Sequence, residues 1–497
     1  MANAFVNELK NDNNYKYTEN GAVAMKSTMD KVYDMFAFGG AYRTRSDDDV
    51  VLLFKNAFEQ DPLHALKCLF YLRDVRGGQG ERRFFRLCAK WLARNHTATM
   101  RKNLELVPEF GRWDDLYEFV DTTLEQDAFK LMKNQLALDV SCKTPSLLAK
   151  WLKSENTSSA ASRALADKTR RYFNMTHKQY RKTLSILRER IKVVERLMSA
   201  NRWDEIEFDK IPSKAGLVYR NAFARRDIIK AKYEKFAKDT TTKVNAKALY
   251  PYEVVEKAAN LMGRGWYRRH VAFDDTERLM INKYWDNLAD YFKNASLDAM
   301  AVVDTSGSMY GQPLNVAISL GMYCAEKAKG PFHGNYISFS RQARLIEIEG
   351  LDFCDKVERI YAKNLCENTN LESAFDLVLN TARRYHLKQS DLPKSLIIIS
   401  DMEIDYARSG WYSGRIENVQ TTMDVIRNKW KNTGYQMPNL IYWNVSARHN
   451  TILDSGPNVT YVSGMSPSIF EQVMTNKTGI DLMLDKLDSE RYARVTV

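Results

Sequence analysis

Apolar side chains recur every three or four residues along much of the first 295 residues. The clearest stretches are LHALKCLFYLRDV (63–75), ERRFFRLCAKWLA (81–93) and YRKTLSILRERIKVVERLM (180–198). That spacing lays one apolar stripe along a helix, and the stripe has to be buried against a neighbour. Breaks at RGGQGE (76–81), VPEFG (107–111), KTPS (143–146) and IPSKAG (211–216) separate the stretches. Two-residue alternation is scarce, so residues 1–295 predict an all-helical array. GRWDDLYEF (111–119) and NRWDEIEF (201–208) repeat a Trp followed by acids at the same offsets. Stacked helix pairs suit such an echo, with Trp113 and Trp203 anchoring one pair on the next.

The pattern changes near residue 296. Short, very apolar runs appear at 297–304, 336–340, 343–349, 395–400, 440–445 and 459–464, and helical stretches around 313–329, 371–386, 417–431 and 467–475 separate most of them. The 336–349 pair instead predicts a hairpin, turning at Arg341 and Gln342. Apolar strands alternating with helices predict a mostly parallel sheet covered on both faces, a doubly wound α/β domain over 296–497.

The sharpest chemical signal lies at the start of that second region. In AVVDTSGSM (301–309) an apolar strand runs into Asp304, and Ser306 and Ser308 follow at alternate positions. Ligands of open α/β sheets sit at the carboxyl ends of strands. ENTNLESAF (367–375) puts Thr369 in a loop before a helix, and SLIIISDMEID (395–405) ends a second apolar strand on Asp401. Two acids and three hydroxyls form an all-oxygen donor set that suits Mg²⁺ or another hard divalent cation. The plainer reading of Asp304 is a helix cap with serines filling a turn. Glu403 either adds charge to this site or faces solvent.

Composition and charge narrow the picture further. The chain is 44% hydrophobic and 27% charged, which is globular and leaves room for two to four domains. No apolar run approaches the length of a membrane span, and the first residues lack the pattern of a secretory signal. Six scattered cysteines, without a C-x-x-C pair, fit free thiols in a cytoplasmic setting. Residues 296–497 hold 21 Lys and Arg against 23 Asp and Glu. Residues 1–295 hold 53 against 39, so the whole excess of positive charge falls there. A polyanion would be drawn to that part.

The D-x-S-x-S motif with Thr369 and Asp401 resembles the metal-ion-dependent adhesion site of von Willebrand factor A domains. The strings YLRDVRGGQGERRFF (71–85), VPEFGRWDDL (107–116), IPSKAGLVYRNAFARRD (211–227) and ALYPYEVVEKA (248–258) are similar to a family of unknown function that joins a helical domain to a C-terminal A domain. That family is related to the TROVE module of the Ro autoantigen, telomerase-associated protein and vault particles. D-M-E at 401–403 resembles the D-N-E of Ro-type A domains more than the integrin pattern, which has Gly after the Asp. The resemblance implies HEAT-like helix pairs bent into a ring in the N-terminal part. It also implies binding of structured small RNAs and single-stranded RNA ends.

Basic residues mixed with aromatics are the candidates for such binding, because Arg grips phosphate while rings stack on unpaired bases. They are Arg170, Arg171, Lys178, Arg181 and Arg188, then Arg225 and Arg226, then Arg264, Arg268 and Arg269. RGGQGER (76–82) lacks a preceding strand and a G-K-[ST] sequence, so a tight turn between helices is expected there. Three functions remain in view. The leading one is an RNA-binding protein with a non-catalytic metal site. The second is a scaffold whose metal takes an acidic side chain from a partner protein. The third, a metal-dependent hydrolase, would need a base beside the ion, and Glu403 is the only local candidate.

Overall fold

The computed structural model describes residues 13–261, 275–293, 297–363, 368–405, 421–475 and 477–497. The chain divides into two compact units. The first is Met1–Asp61 with Leu249–Ser489, and the second is Pro62–Ala248 with Glu490–Val497. This division does not follow the change of sequence pattern near 296, and packing supplies the reason. The helix Lys31–Phe38 lies on the edge strand Val459–Ser463, and the helix Pro251–Leu261 lies on the helix Gln312–Lys327. Trp285 stacks on Phe353 at 4.2 Å and donates to Glu326 at 2.6 Å. Helical segments from before residue 296 therefore bury their apolar faces on the sheet layer.

The first unit is built on six strands: β3 (Ala299–Asp304), β4 (Asn335–Phe339), β5 (Ala343–Glu347), β6 (Ser395–Ser400), β7 (Asn439–Asn444) and β8 (Val459–Ser463). They run in the order β5-β4-β3-β6-β7-β8, and every pairing is parallel except the β4–β5 hairpin. Covered on both faces, the strands other than the exposed edge strand β5 are apolar almost without interruption, as in VVD and LIIIS. Gly321 lets the helix Gln312–Lys327 approach β3, since a Cβ there would stand 2.5 Å from the Val303 side chain. From β3 the chain moves to β4 on one side and later to β6 on the other. The carboxyl ends of β3 and β6 thus flank the point where strand order reverses, the usual place for a ligand in such sheets.

One element was absent from the expected helical array. A small hairpin of β1 (Tyr15–Tyr17) and β2 (Val23–Met25) bridges Gly21 to Asp405 and Met25 to Ile452. Three residues per strand are too few for an alternating pattern to show.

The second unit is helical among its described residues. The single helix expected over 180–198 is two, His177–Arg190 and Val194–Ser199, because Lys192 takes a left-handed turn at φ +50°. VPEFG is not a break but lies within the short helix Leu106–Phe110 plus its cap, and IPSKAG breaks only as far as Pro212, since a helix begins at Ser213. The segment 74–81 turns between the helices Pro62–Arg73 and Arg82–Asn95. Both Trp113 and Trp203 open short 3₁₀ turns, but the acids that follow are used differently. Asp115 accepts from buried Arg73 at 2.7 and 2.9 Å and from Arg86 at 2.7 Å, whereas Glu205 pairs with Arg202 at the surface. Among the described residues no helix is long and apolar enough to cross a membrane. Of the cysteines, 68, 88, 142, 324 and 354 are free thiols, and Cys366 lies outside the described residues.

Candidate metal centre

Register sets this site. Val303 pairs with Ile399, so Asp304 at the end of β3 lies beside Ser400 at the end of β6, and Asp401 follows. One Asp304 oxygen accepts from the Ser400 hydroxyl at 2.6 Å and the other from the Ser306 backbone N–H at 2.9 Å. The Ser306 and Ser308 hydroxyls stand 3.1 Å apart, and the Ser308 hydroxyl lies near enough to Asp401 to favour its charged form. Asp401 also accepts from the Glu403 N–H at 3.1 Å and from an Arg448 guanidinium N–H at 2.9 Å. Asp304, Ser306, Ser308 and Asp401 are thereby linked by direct contacts.

Thr369 joins them through its loop. Its carbonyl accepts from the Asp405 N–H at 2.9 Å, and the next residue, Asn370, donates to the Ser340 carbonyl at 2.8 Å. Thr369 is buried at the same edge of the sheet, with its hydroxyl 3.4 Å from the Asn20 side-chain amide.

Met402 stands where the integrin-like pattern has glycine, and it adopts φ +68°. The left-handed conformation that glycine would take freely is imposed on a side chain that is itself fully buried.

Two observations test whether a hard divalent cation fits. Asp304 is wholly buried and Asp401 nearly so. Burial, and for Asp304 the neighbouring Asp401 charge, raise both carboxyls above the ordinary range. Arg448 pairs with Asp401, but among the described residues no basic side chain pairs with Asp304, so the two acids are short of positive charge. Every donor at the site is oxygen, without Cys or His, which favours Mg²⁺ over softer metals. The residues fit the ion. Bound there, it would supply positive charge for the two carboxylates and an open position for a ligand oxygen.

Glu403 does not face solvent, and its negative charge acts on Asp401, helping to raise that carboxyl. It is buried, one oxygen accepting from the Glu19 N–H at 2.8 Å and the other from the Thr451 hydroxyl at 2.8 Å. It therefore ties the β1–β2 hairpin to the loop after β7. Among the described residues, Glu155, Asp167 and His177 form a grouping with metal-ligand spacing, but Arg170, Arg171 and Arg181 interleave it. An ion-pair network accounts for that cluster.

The expected RNA-binding residues divide. Arg188 is a brace, donating to the Ala149 and Leu152 carbonyls and to Ser154 at 2.8–2.9 Å. Arg170 is mostly covered, pairing with Glu155 at 3.3 Å and Asp167 at 2.5 Å. Both are removed from the binding set, because their donors already serve the fold. Arg171, Lys178, Arg181, Arg225 and Arg226 are exposed, and the Arg226 guanidinium lies 5.0 Å over the Trp203 ring. Arg264, Arg268 and Arg269 lie outside the described residues.

A family model described as domain of unknown function (DUF2828) matches residues 18–150 and 139–297, more than half of the chain. The chain belongs to this DUF2828 family. A second model, domain of unknown function (DUF7788), matches residues 298–493. "Uncharacterized protein L728" of Acanthamoeba polyphaga mimivirus is 28% identical over 506 residues, covering 93% of this chain and 85% of that protein.

In the DUF2828 chain, sequence reasoning missed the groups that surround the candidate metal ligands. Arg448 contacts Asp401 on one side and Glu19 at 2.9 Å on the other, and Asn20 donates to the Glu403 carbonyl at 2.6 Å. Roughly 400 residues separate Glu19 from Arg448, and no motif marks either.

Proposed function

We propose that this is an RNA-binding protein in which the second unit holds the RNA. On this reading the first unit carries a von Willebrand factor A-type domain with a non-catalytic divalent-metal site. Charge supports the reading most. The second unit contains 41 Lys and Arg against 23 Asp and Glu, a balance of +18, while the remainder of the chain holds 33 against 39. An excess so concentrated favours a polyanion, because released counterions drive the association. The resemblance of the sequence to Ro-type proteins, which implies HEAT-like helix pairs, agrees with it. Filter binding of a structured RNA with a single-stranded tail tests the proposal. Log affinity should fall linearly with log salt by about 0.7 to 0.9 per phosphate contacted, and absence of binding at low salt defeats it.

One observation favours the scaffold reading. Tyr310, beside the metal loop, is 73% exposed, an aromatic that a partner protein could cover while offering a carboxylate to the ion. Asp304→Asn would then abolish a protein partner and leave RNA affinity unchanged.

A further inference from the structure

The two edges of the six-stranded sheet are finished differently. At β8 the helix Lys31–Phe38 covers the edge. The Tyr461 N–H donates to the Tyr33 hydroxyl at 2.7 Å, and the Ser463 hydroxyl donates to the Phe36 carbonyl at 3.0 Å. At β5 the backbone stays open. Alternate residues of an antiparallel ladder turn their N–H and C=O towards the partner strand. The Ile348 N–H donates to the Gly334 carbonyl at 2.9 Å, so Ile346 and Arg344 also face β4. Ala343, Leu345 and Glu347 therefore turn theirs outwards, and none of these groups has a hydrogen-bond partner among the described residues.

The side chains along this edge are equally unengaged. Leu345 is 52% exposed. Arg341, Arg344, Glu347 and Glu349 are exposed too, and none forms an ion pair among the described residues. Charges on an edge commonly keep other strands away. Here they are sorted by sign, basic at the start of the strand and acidic at its end. Such a strand repels a parallel copy of itself, like charge meeting like, and attracts an antiparallel one. A strand from an unrelated protein would need the complementary order by chance, whereas a second copy always carries it.

We propose that β5 pairs antiparallel with β5 of a second copy of this chain, joining the two sheets into one. The outward groups set the phase, because residues that point their backbone groups outwards must face one another. Centring the pairing on Leu345 sets Leu345 against its own copy, Ala343 against Glu347 and Arg341 against Glu349. Centring it on Arg344 or Glu347 would put like charges face to face, and centring it on Ile346 would leave Arg341 without a facing carboxylate. The pairing depends on neither the RNA reading nor the metal reading.

Sedimentation velocity of the full chain over roughly 1–100 µM tests it, a range suited to the weak association of a small interface. A concentration-dependent dimer is expected, with amide exchange over 343–347 slowing as the dimer forms. The two-fold dimer uses each contact twice, so R341E or E349R alone should weaken it by about tenfold. Mixed one to one, the two variants should associate again, since each supplies the charge that the other lacks. L345P removes an outward N–H without touching the ladder to β4, and should abolish the dimer. If L345P unfolds, the exposed charge variants still decide the matter. A monomer at every concentration overturns the proposal and leaves the edge to a strand of another protein. A dimer that survives both charge variants, or a mixture no tighter than either variant alone, places the contact elsewhere and overturns it as well.

Discussion

A carboxylate sealed from water needs positive charge nearby, and among the described residues Asp304 has no cationic side chain paired with it. Asp304→Asn removes the need and the ligand together. Mn²⁺ affinity by calorimetry should drop by more than the roughly 10- to 100-fold that outer-shell changes cost, while the metal-free protein should melt no lower than wild type. Arg448 makes the opposite prediction. Its guanidinium shares Asp401 and Glu19, so a divalent ion must compete with it for Asp401. Arg448→Gln should tighten Mn²⁺ binding by about two- to fivefold, allowing for its partial exposure. A weakened site in that variant would show that Arg448 holds Asp401 in place rather than competing for it. The clustering of the candidate ligands was legible because D-x-S-x-S packs three of them into five residues at a strand end. Arg448, Glu19 and Asn20 were not, since their proximity is made by the hairpin and by the loop after β7. Met402 shows the same limit: the sequence marks a missing glycine but not that the backbone keeps glycine's conformation.

Elements are held by contacts that periodicity does not encode. In the second unit, residues 490–497 return to the helices Pro62–Arg73 and Leu106–Phe110. Tyr492 packs between Tyr71 and Phe110, and Arg491 and Tyr492 both donate to buried Asp74. Burial works against the Asp74 carboxylate. Hydrogen bonds from Arg491 and from the Arg76 and Gly77 N–H groups outweigh it and hold the pKa below the ordinary value. A depressed folded pKa stabilises the protein above the unfolded value near 4, and that contribution is lost as pH falls through the lower folded value. Urea unfolding of the full chain should show Asp74→Ala costing about 2–3 kcal/mol at neutral pH and much less near pH 2. Equal costs at both pH values would contradict the ion-pair account. Strand runs such as LIIIS and LIYWN were legible because a strand covered on both faces must be apolar throughout. The division into units was not, because amphipathic helices look alike whether they lie on a sheet or on other helices.

At the scale of the molecule, the charge partition is the feature that function has to explain. Along the sequence the excess is spread over the first 295 residues, whereas the folded chain gathers +18 into the second unit. Reversing the exposed Arg171, Arg181, Arg225 and Arg226 should therefore weaken RNA binding and flatten its salt slope by about 0.7 to 0.9 for each phosphate no longer neutralised. A slope that stays at the wild-type value would place the RNA elsewhere. Ultraviolet cross-linking of the full chain to RNA, with the cross-linked peptides identified by mass spectrometry, tests the central claim most directly. The account predicts adducts within residues 62–248. Adducts confined to the strands and loops of 297–475, or none at low salt, would contradict it.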